Sequence, residues 1–335
     1  MTGGLKQMLT YLIDYSFFAL QAVTVMLLIF LPFILIMKAK NFGKDEKNKI
    51  TIEHVNKRLE NSKIAFESVL LNKKSFKKQL KDSTKAQKKD AKSSSKNRTF
   101  ICRFDGDIKA SEVEQLRHEI TAILLVASTS DEVILVLESA GGTIHGYGLA
   151  ASQLSRVRAK GIPLQVCVDT VAASGGYMMA CVADKLSAAP FAIIGSIGVI
   201  AQIPNFSKLL KEKNIEYEQI TAGEYKRTLT MFGENTAEDR IKFQAEINEA
   251  HELFKSFISK FRPNLDLENI ATGEHWFASK ALDLGLVDNI ATSDEVIMER
   301  ALVNDVYEIK ADRKRSTLAR ILKPDVDSLI HFFGK

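Results

Sequence analysis

Between Phe17 and Met37 the chain reads FFALQAVTVMLLIFLPFILIM, without one charged residue. Such a run has about the 20 residues that a helix needs to cross a bilayer. A helix packed on a water-soluble core keeps a polar outer face, and this run has none. Pro32 is compatible with a membrane span. A cleaved signal peptide is the competing reading. The length of the apolar stretch, the bulky residues at its end and the lack of a small-residue cleavage site speak against it. The run therefore splits the chain. Residues 1–37 are expected to be an N-terminal region with a retained transmembrane anchor at about 17–37, and any folded core must lie beyond it.

Residues 38–98 change character. They are rich in Lys, Ser, Asn and Gln, and LNKKSFKKQLKDSTKAQKKDAKSSSKNR has too few apolar residues to build a core. Ile52, Val55, Leu59, Ile64 and Phe66 fall at roughly helical spacing. The segment reads as a basic linker, partly helical. The formal net charge of +5 is modest but uneven. No aromatic residues interleave with these lysines and no nucleic-acid module is recognisable, so nucleic acid is not the expected partner. Anionic lipid headgroups beside the anchor explain the lysines more simply. Lys38, Lys40, Lys44, Lys47 and Lys49 come directly after the anchor, whereas only Lys6 and the amino terminus precede it. The positive-inside rule puts the chain beyond the anchor on the cytoplasmic side.

From Thr99 to about Ile309 strand-like apolar runs alternate with helix-like periods. TFICRF, DEVILVLES and PLQVCVD read as strands; ASEVEQLRHEITAILLVAS, TIHGYGLAASQLSRVRAKG and TAEDRIKFQAEINEAHELFKSFISKF read as helices. That order predicts an α/β domain over 99–309 with a mainly parallel sheet. The apolar run from Ala188 to Ile203 is too short for a second span and is broken by Gly195, Ser196 and Gly198, so sheet core is expected. Residues 310–335 form a basic, partly amphipathic tail. Cys102, Cys167 and Cys181 all lie in apolar runs and read as buried free thiols. Nothing in the sequence calls for a metal or a cofactor.

Two strand-to-helix turns carry chemistry. ESAGGT, Glu138–Thr143, offers two glycines whose backbone can approach a ligand and present N–H groups to a developing oxyanion. One β-α unit later, VAASGGYMMACVA places Ser174 at the same kind of bend. Ser174 is either a helix N-cap or an exposed nucleophile. A nucleophilic serine needs a base. His145 lies next to the glycine loop, and Lys226 lies in TAGEYKRTLTMFGENT. A lysine serves only in its neutral form, so a lysine base implies activity that rises with pH.

The series ESAGG, VAASGGYMMA, GSIGVI, TAGEYKRTLTMFGENT and ATGEHWFASKALDLGLVDNI, in this order across most of Thr99 to Ile290, resembles the signal peptide peptidase family of membrane-bound serine proteases (SppA/SohB type), its SohB branch in particular. The resemblance implies a ClpP/crotonase-like domain, Ser174 as nucleophile, Lys226 as general base 52 residues later, and Ser196 as the serine that orients the lysine. It also implies an oxyanion hole from Gly141 or Gly142 with Gly175, and ring-like homo-oligomers. The expected protein is a single-pass, inner-membrane serine endopeptidase acting on peptides such as signal-peptide remnants. Its catalytic domain is often drawn outside the cytoplasm in this family, so its facing stays open. The chain departs from the family at Ala140, where proline is usual, and at Met178 after Tyr177. The competing functions are an acyl-CoA enzyme of the crotonase type and a non-catalytic membrane scaffold; the latter predicts loss of the serine or lysine, and both are present.

Overall fold

The computed structural model describes residues 11, 13, 15–30, 50–90 and 97–311. The chain divides into two compact units, Met1–Lys49 and Ile50–Lys335. In the first, residues 15–30 form helix α1, exposed along its whole length. Among the described residues no helix is long and apolar enough to cross a membrane. The remainder of the expected anchor, residues 31–37, lies outside the described residues, as do residues 38–49 and the tail from 312 onward.

The second unit opens with β1 (Ile50–His54), α2 (Val55–Leu70) and α3 (Lys73–Asp90). Then come β2 (Arg98–Gly106), α4 (Val113–Val126), β3 (Glu132–Ser139), α5 (Ile144–Ala159), β4 (Leu164–Val168), β5 (Val171–Ala173) and α6 (Gly175–Ala180). The chain continues through β6 (Lys185–Ala188), β7 (Ile193–Gly195), α7 (Ser207–Glu212), α8 (Ala237–Phe261) and α9 (Leu267–Ile270). It finishes with β8 (His275–Phe277), α10 (Ala278–Asp283), β9 (Asn289–Ile290), α11 (Ser293–Val303) and β10 (Asp305–Ala311).

The strands form one mixed sheet in the order β1-β10-β2-β3-β4-β6-β9, with a spur in which β5 pairs with β3 and β7, and β7 with β8. Every pairing is parallel except β1 with β10 and β7 with β8. The expected α/β class with a mainly parallel sheet is what forms. Side-chain alternation explains why its strands read as unbroken apolar runs: Phe100, Cys102 and Phe104 enter one core with α4 and α5, while Ile101, Ile134, Cys167 and Val306 enter the other with Val55, Val296 and Ile297. Both faces are covered, as parallel sheets require. Helices α8 and α11 start at capping boxes, Thr236 with Asp239 and Thr292 with Glu295. The three cysteines are free and buried.

Two expectations shift. The sheet takes in chain that reads as linker: β1 pairs antiparallel with β10 from Ile50↔Ala311 to His54↔Tyr307. Asn56 on α2 then donates to the carbonyls of Ala301 and Asn304 at 2.9 and 3.0 Å. Helical spacing holds from Val55, but Ile52 belongs to a strand and is 62% exposed. The run Ala188–Ile203 stays in the sheet only to Gly195. Ile194 and Ile197 are buried, yet Ile200 is 79% exposed. The chain turns away at Ser196, whose φ is 51° and whose N–H donates to the Glu274 carbonyl.

Candidate active site

The two turns singled out in the sequence meet. Ser139 ends β3 and lies in register with Ala172 of β5, so the ESAGGT loop and the Ser174 bend leave adjacent strands on the same side. Their approach is close enough to demand glycine. A Cβ on Gly141, at φ 92°, would lie 2.8 Å from Ser174 Cβ and 2.9 Å from the Gly175 nitrogen. A Cβ on Gly175 would lie 2.4 Å from Cγ of Tyr147. Tyr147, fully buried on α5, ties the loop down. Its hydroxyl donates to the Asp107 carbonyl at 2.8 Å and shares a 2.5 Å hydrogen bond with Ser139 Oγ. Ser139 Oγ in turn accepts the Gly141 N–H at 3.0 Å. Gly141 is therefore a conformational element whose amide is already engaged, and Gly142 and Gly175 are the glycines left facing the cavity.

That cavity is about 350 Å³ and is lined by Gly142, His145, Ser174, Gly175, Met178 and Phe254, among others. Ser174 occupies the N-cap position of α6 but makes no side-chain cap hydrogen bond. Its backbone stands at φ 52°, ψ −117°, far from the extended conformation of an ordinary capping serine. The bend is held by Ser174 N–H donating to the Gly195 carbonyl at 2.8 Å and Met178 N–H donating to the Ser174 carbonyl at 3.0 Å. Among the described residues the hydroxyl has no hydrogen-bond partner, and it stands at the cavity wall with Gly175, an arrangement suited to attack on a carbonyl whose oxygen falls among N–H donors.

Ser196 stands one strand away. Ala173 and Gly195 are register partners, so Ser174 and Ser196 leave adjacent parallel strands side by side, both at positive φ. Lys226 is elsewhere. It is exposed and lines a separate concavity of about 610 Å³ with Tyr217, Ile220, Met231 and Phe232. Among the described residues no hydrogen bond joins it to Ser174 or Ser196. His145, the alternative base, is exposed at the rim of the serine cavity.

Sequence reasoning missed the clamp of Tyr147 on Ser139, and it missed Phe254. Phe254 and Ala250 reach the cavity from α8, a helix whose inward stripe also includes Ile258. The apolar period of α8 was visible, but nothing in it tells which cavity it walls.

Two descriptions of known families match the chain: Peptidase family S49 over residues 156–306 and Peptidase family S49 N-terminal over residues 10–154. A "Probable protease SohB" of Haemophilus influenzae is 44% identical over 341 residues, covering 97% of this chain and 96% of its own. One from Buchnera aphidicola subsp. Schizaphis graminum is 49% identical over 295 residues, 86% of each chain. Another, from Buchnera aphidicola subsp. Acyrthosiphon pisum, is 58% identical over 225 residues, 67% of each. Sheet, serine bend and relatives agree: the chain belongs to peptidase family S49 and is a serine peptidase of the SppA/SohB type.

Proposed function

We propose that this chain is a membrane-attached endopeptidase in which Ser174 is the nucleophile and Lys226 the general base. The observation that carries the reading is the uncapped Ser174 hydroxyl, held in a strained bend that lines one partly apolar cavity with Gly142 and Gly175. Neutral Lys226 takes the Ser174 proton as Oγ attacks the peptide carbonyl. The Gly142 and Gly175 N–H groups hold the oxyanion, and Lys226 gives the proton to the departing amine. Water, deprotonated by the same lysine, then releases the acyl group. Ser196 orients the lysine. The apolar lining of Met178, Phe254 and Ile144 suits small or aliphatic side chains next to the scissile bond, as in signal-peptide remnants.

Because Lys226 opens onto another concavity of its own chain, we read the dyad as one completed across an interface between copies of a ring-like homo-oligomer. The segment around it supports this with exposed Ile200, Ile220, Tyr225 and Phe232. The uncharged run Phe17–Met37 supports a single-pass anchor in the inner membrane. The β3–β5–β7 spur supports a ClpP/crotonase-like domain.

The test is cleavage of a library of signal-like peptides by the full chain in detergent, read by mass spectrometry, beside Ser174→Ala and Lys226→Ala. Loss in both variants is expected. Full activity in either one removes that residue from the mechanism, and a folded, inert wild type favours the scaffold.

A further inference from the structure

We propose that the tip of the α2–α3 hairpin is a second membrane contact, docking on anionic lipid headgroups. It rests on the proposed membrane attachment only to bring a bilayer within reach, and it stands apart from the peptidase chemistry.

A stripe on α2 outruns its partner. Val55 is buried and Leu59 half-buried against Val296 and Ile297 of α11. The same face of α2, traced toward its C-terminus at about 100° per residue, carries Phe66, Val69 and Leu70. These three are 72%, 84% and 78% exposed. A large apolar cluster left in water at the end of a helix marks a contact surface rather than a core.

The turn after α2 is built, not loose. The Leu71 N–H donates to the Glu67 carbonyl at 3.0 Å, and Asn72 Oδ1 accepts the Ser75 N–H at 2.9 Å to cap α3. Gln79 Nε2 donates to Glu67 Oε1 at 2.7 Å, fixing one helix on the other. The first turns of α3 expose Lys73, Lys74, Lys77, Lys78 and Lys81. At helical spacing these five fall within an arc of roughly 140°. An apolar tip flanked by a one-sided row of lysines is complementary to an anionic bilayer surface, where each lysine strengthens binding by about fivefold. Connectivity points the same way. The hairpin comes directly after β1, and β1 is entered from the segment that carries the uncharged run.

The test uses the full chain in lipid nanodiscs, with Val69→Cys carrying an environment-sensitive fluorophore; Cys102, Cys167 and Cys181 are buried and leave position 69 as the reactive site. In discs containing phosphatidylglycerol the label should brighten and resist an aqueous quencher. In phosphatidylcholine discs, or at 1 M salt, where the Debye length is about 3 Å, it should stay wet. Lys73→Glu with Lys74→Glu, Lys77→Glu and Lys78→Glu should weaken the contact by more than about a hundredfold. A label at Leu125→Cys on α4, a helix of the opposite sheet face, should stay wet throughout. A wet label at 69 in anionic discs overturns the proposal. So does protection in detergent that grows with protein concentration, which would assign the tip to a second copy. Protection by added RNA in detergent would assign the lysines to nucleic acid and overturn it too. Equal protection in neutral discs that survives the lysine reversals removes anionic recognition.

Discussion

Replacing Ser174 by glycine should make the protein more stable while abolishing its chemistry. The φ 52°, ψ −117° backbone of Ser174 mirrors the first central position of a type II turn, a conformation that glycine adopts freely. An L-residue held there costs about 1–3 kcal/mol. Ser174→Gly removes that strain, and the extra freedom of glycine in the unfolded chain takes back about 0.5–1 kcal/mol. The net gain spans about 0–2.5 kcal/mol, with a midpoint of about 1.25 kcal/mol. Ser174→Ala is the control, because it keeps the Cβ and therefore the strain. It also removes a hydroxyl that makes no cap hydrogen bond, so its stability should stay within about 0.5 kcal/mol of wild type. For a domain of this size 1 kcal/mol moves Tm by about 2–4 °C, so at that midpoint the glycine variant should melt about 2–5 °C above the alanine variant. Thermal unfolding of the three full-length proteins in one detergent measures this, with peptide cleavage run alongside. A glycine variant no more stable than the alanine variant would show that the bend stores no strain, and the reasoning from its backbone would fail.

Mixing Ser174→Ala and Lys226→Ala subunits should restore about a quarter of wild-type sites if the dyad forms between copies, since each intact residue then meets the other by chance. No recovery from verified mixed oligomers would place the dyad within one chain. Gly175→Ala should lower kcat/KM by about a hundredfold, because its Cβ meets Tyr147 Cγ at 2.4 Å and the serine bend has to move. An unimpaired variant would argue against Gly175 as part of the site. Burial on α4 pushes the Glu119 carboxyl up to about 7, even though the Ala311 N–H donates to it at 2.9 Å. Between about 4.5 and about 7 the folded protein then holds more protons than the unfolded chain, so this group's contribution to stability falls as pH rises through that window. Urea midpoints at several pH values should show that decline flattened in Glu119→Gln, and an unchanged slope would refute the assignment.

The sheet of residues 98–311 was legible because both its faces are buried, which turns its strands into runs such as VILVL that no exposed segment would carry. The serine bend was legible for a related reason: small residues must crowd where Gly141 and Gly175 pass against Ser174 and Tyr147. The start of the folded unit was hidden. β1 is an edge strand with Thr51, Ile52 and Glu53 exposed, and five of the 16 residues of α2 are charged, so composition gave both the look of a linker. Lys226 marks a different limit. Its spacing from Ser174 is a property of the chain, whereas its distance from Ser174 depends on how the segment between α7 and α8 is placed. Phe254 walls the serine cavity from 80 residues away, and periodicity carries no address for such a contact.

The pairing of β1 with β10 decides where this protein can be cut. A fragment beginning at Thr99, the boundary that composition suggests, would strip the antiparallel cover from Tyr307–Ala311 of β10. It would also uncover Ile297 and Val306, which Val55 helps to bury. The bared ladder of N–H and C=O groups is the kind of edge on which strands of other molecules add. Such a fragment is headed for inclusion bodies whatever the state of its active site, whereas one that begins just before Ile50 keeps its border strand and its helical cover.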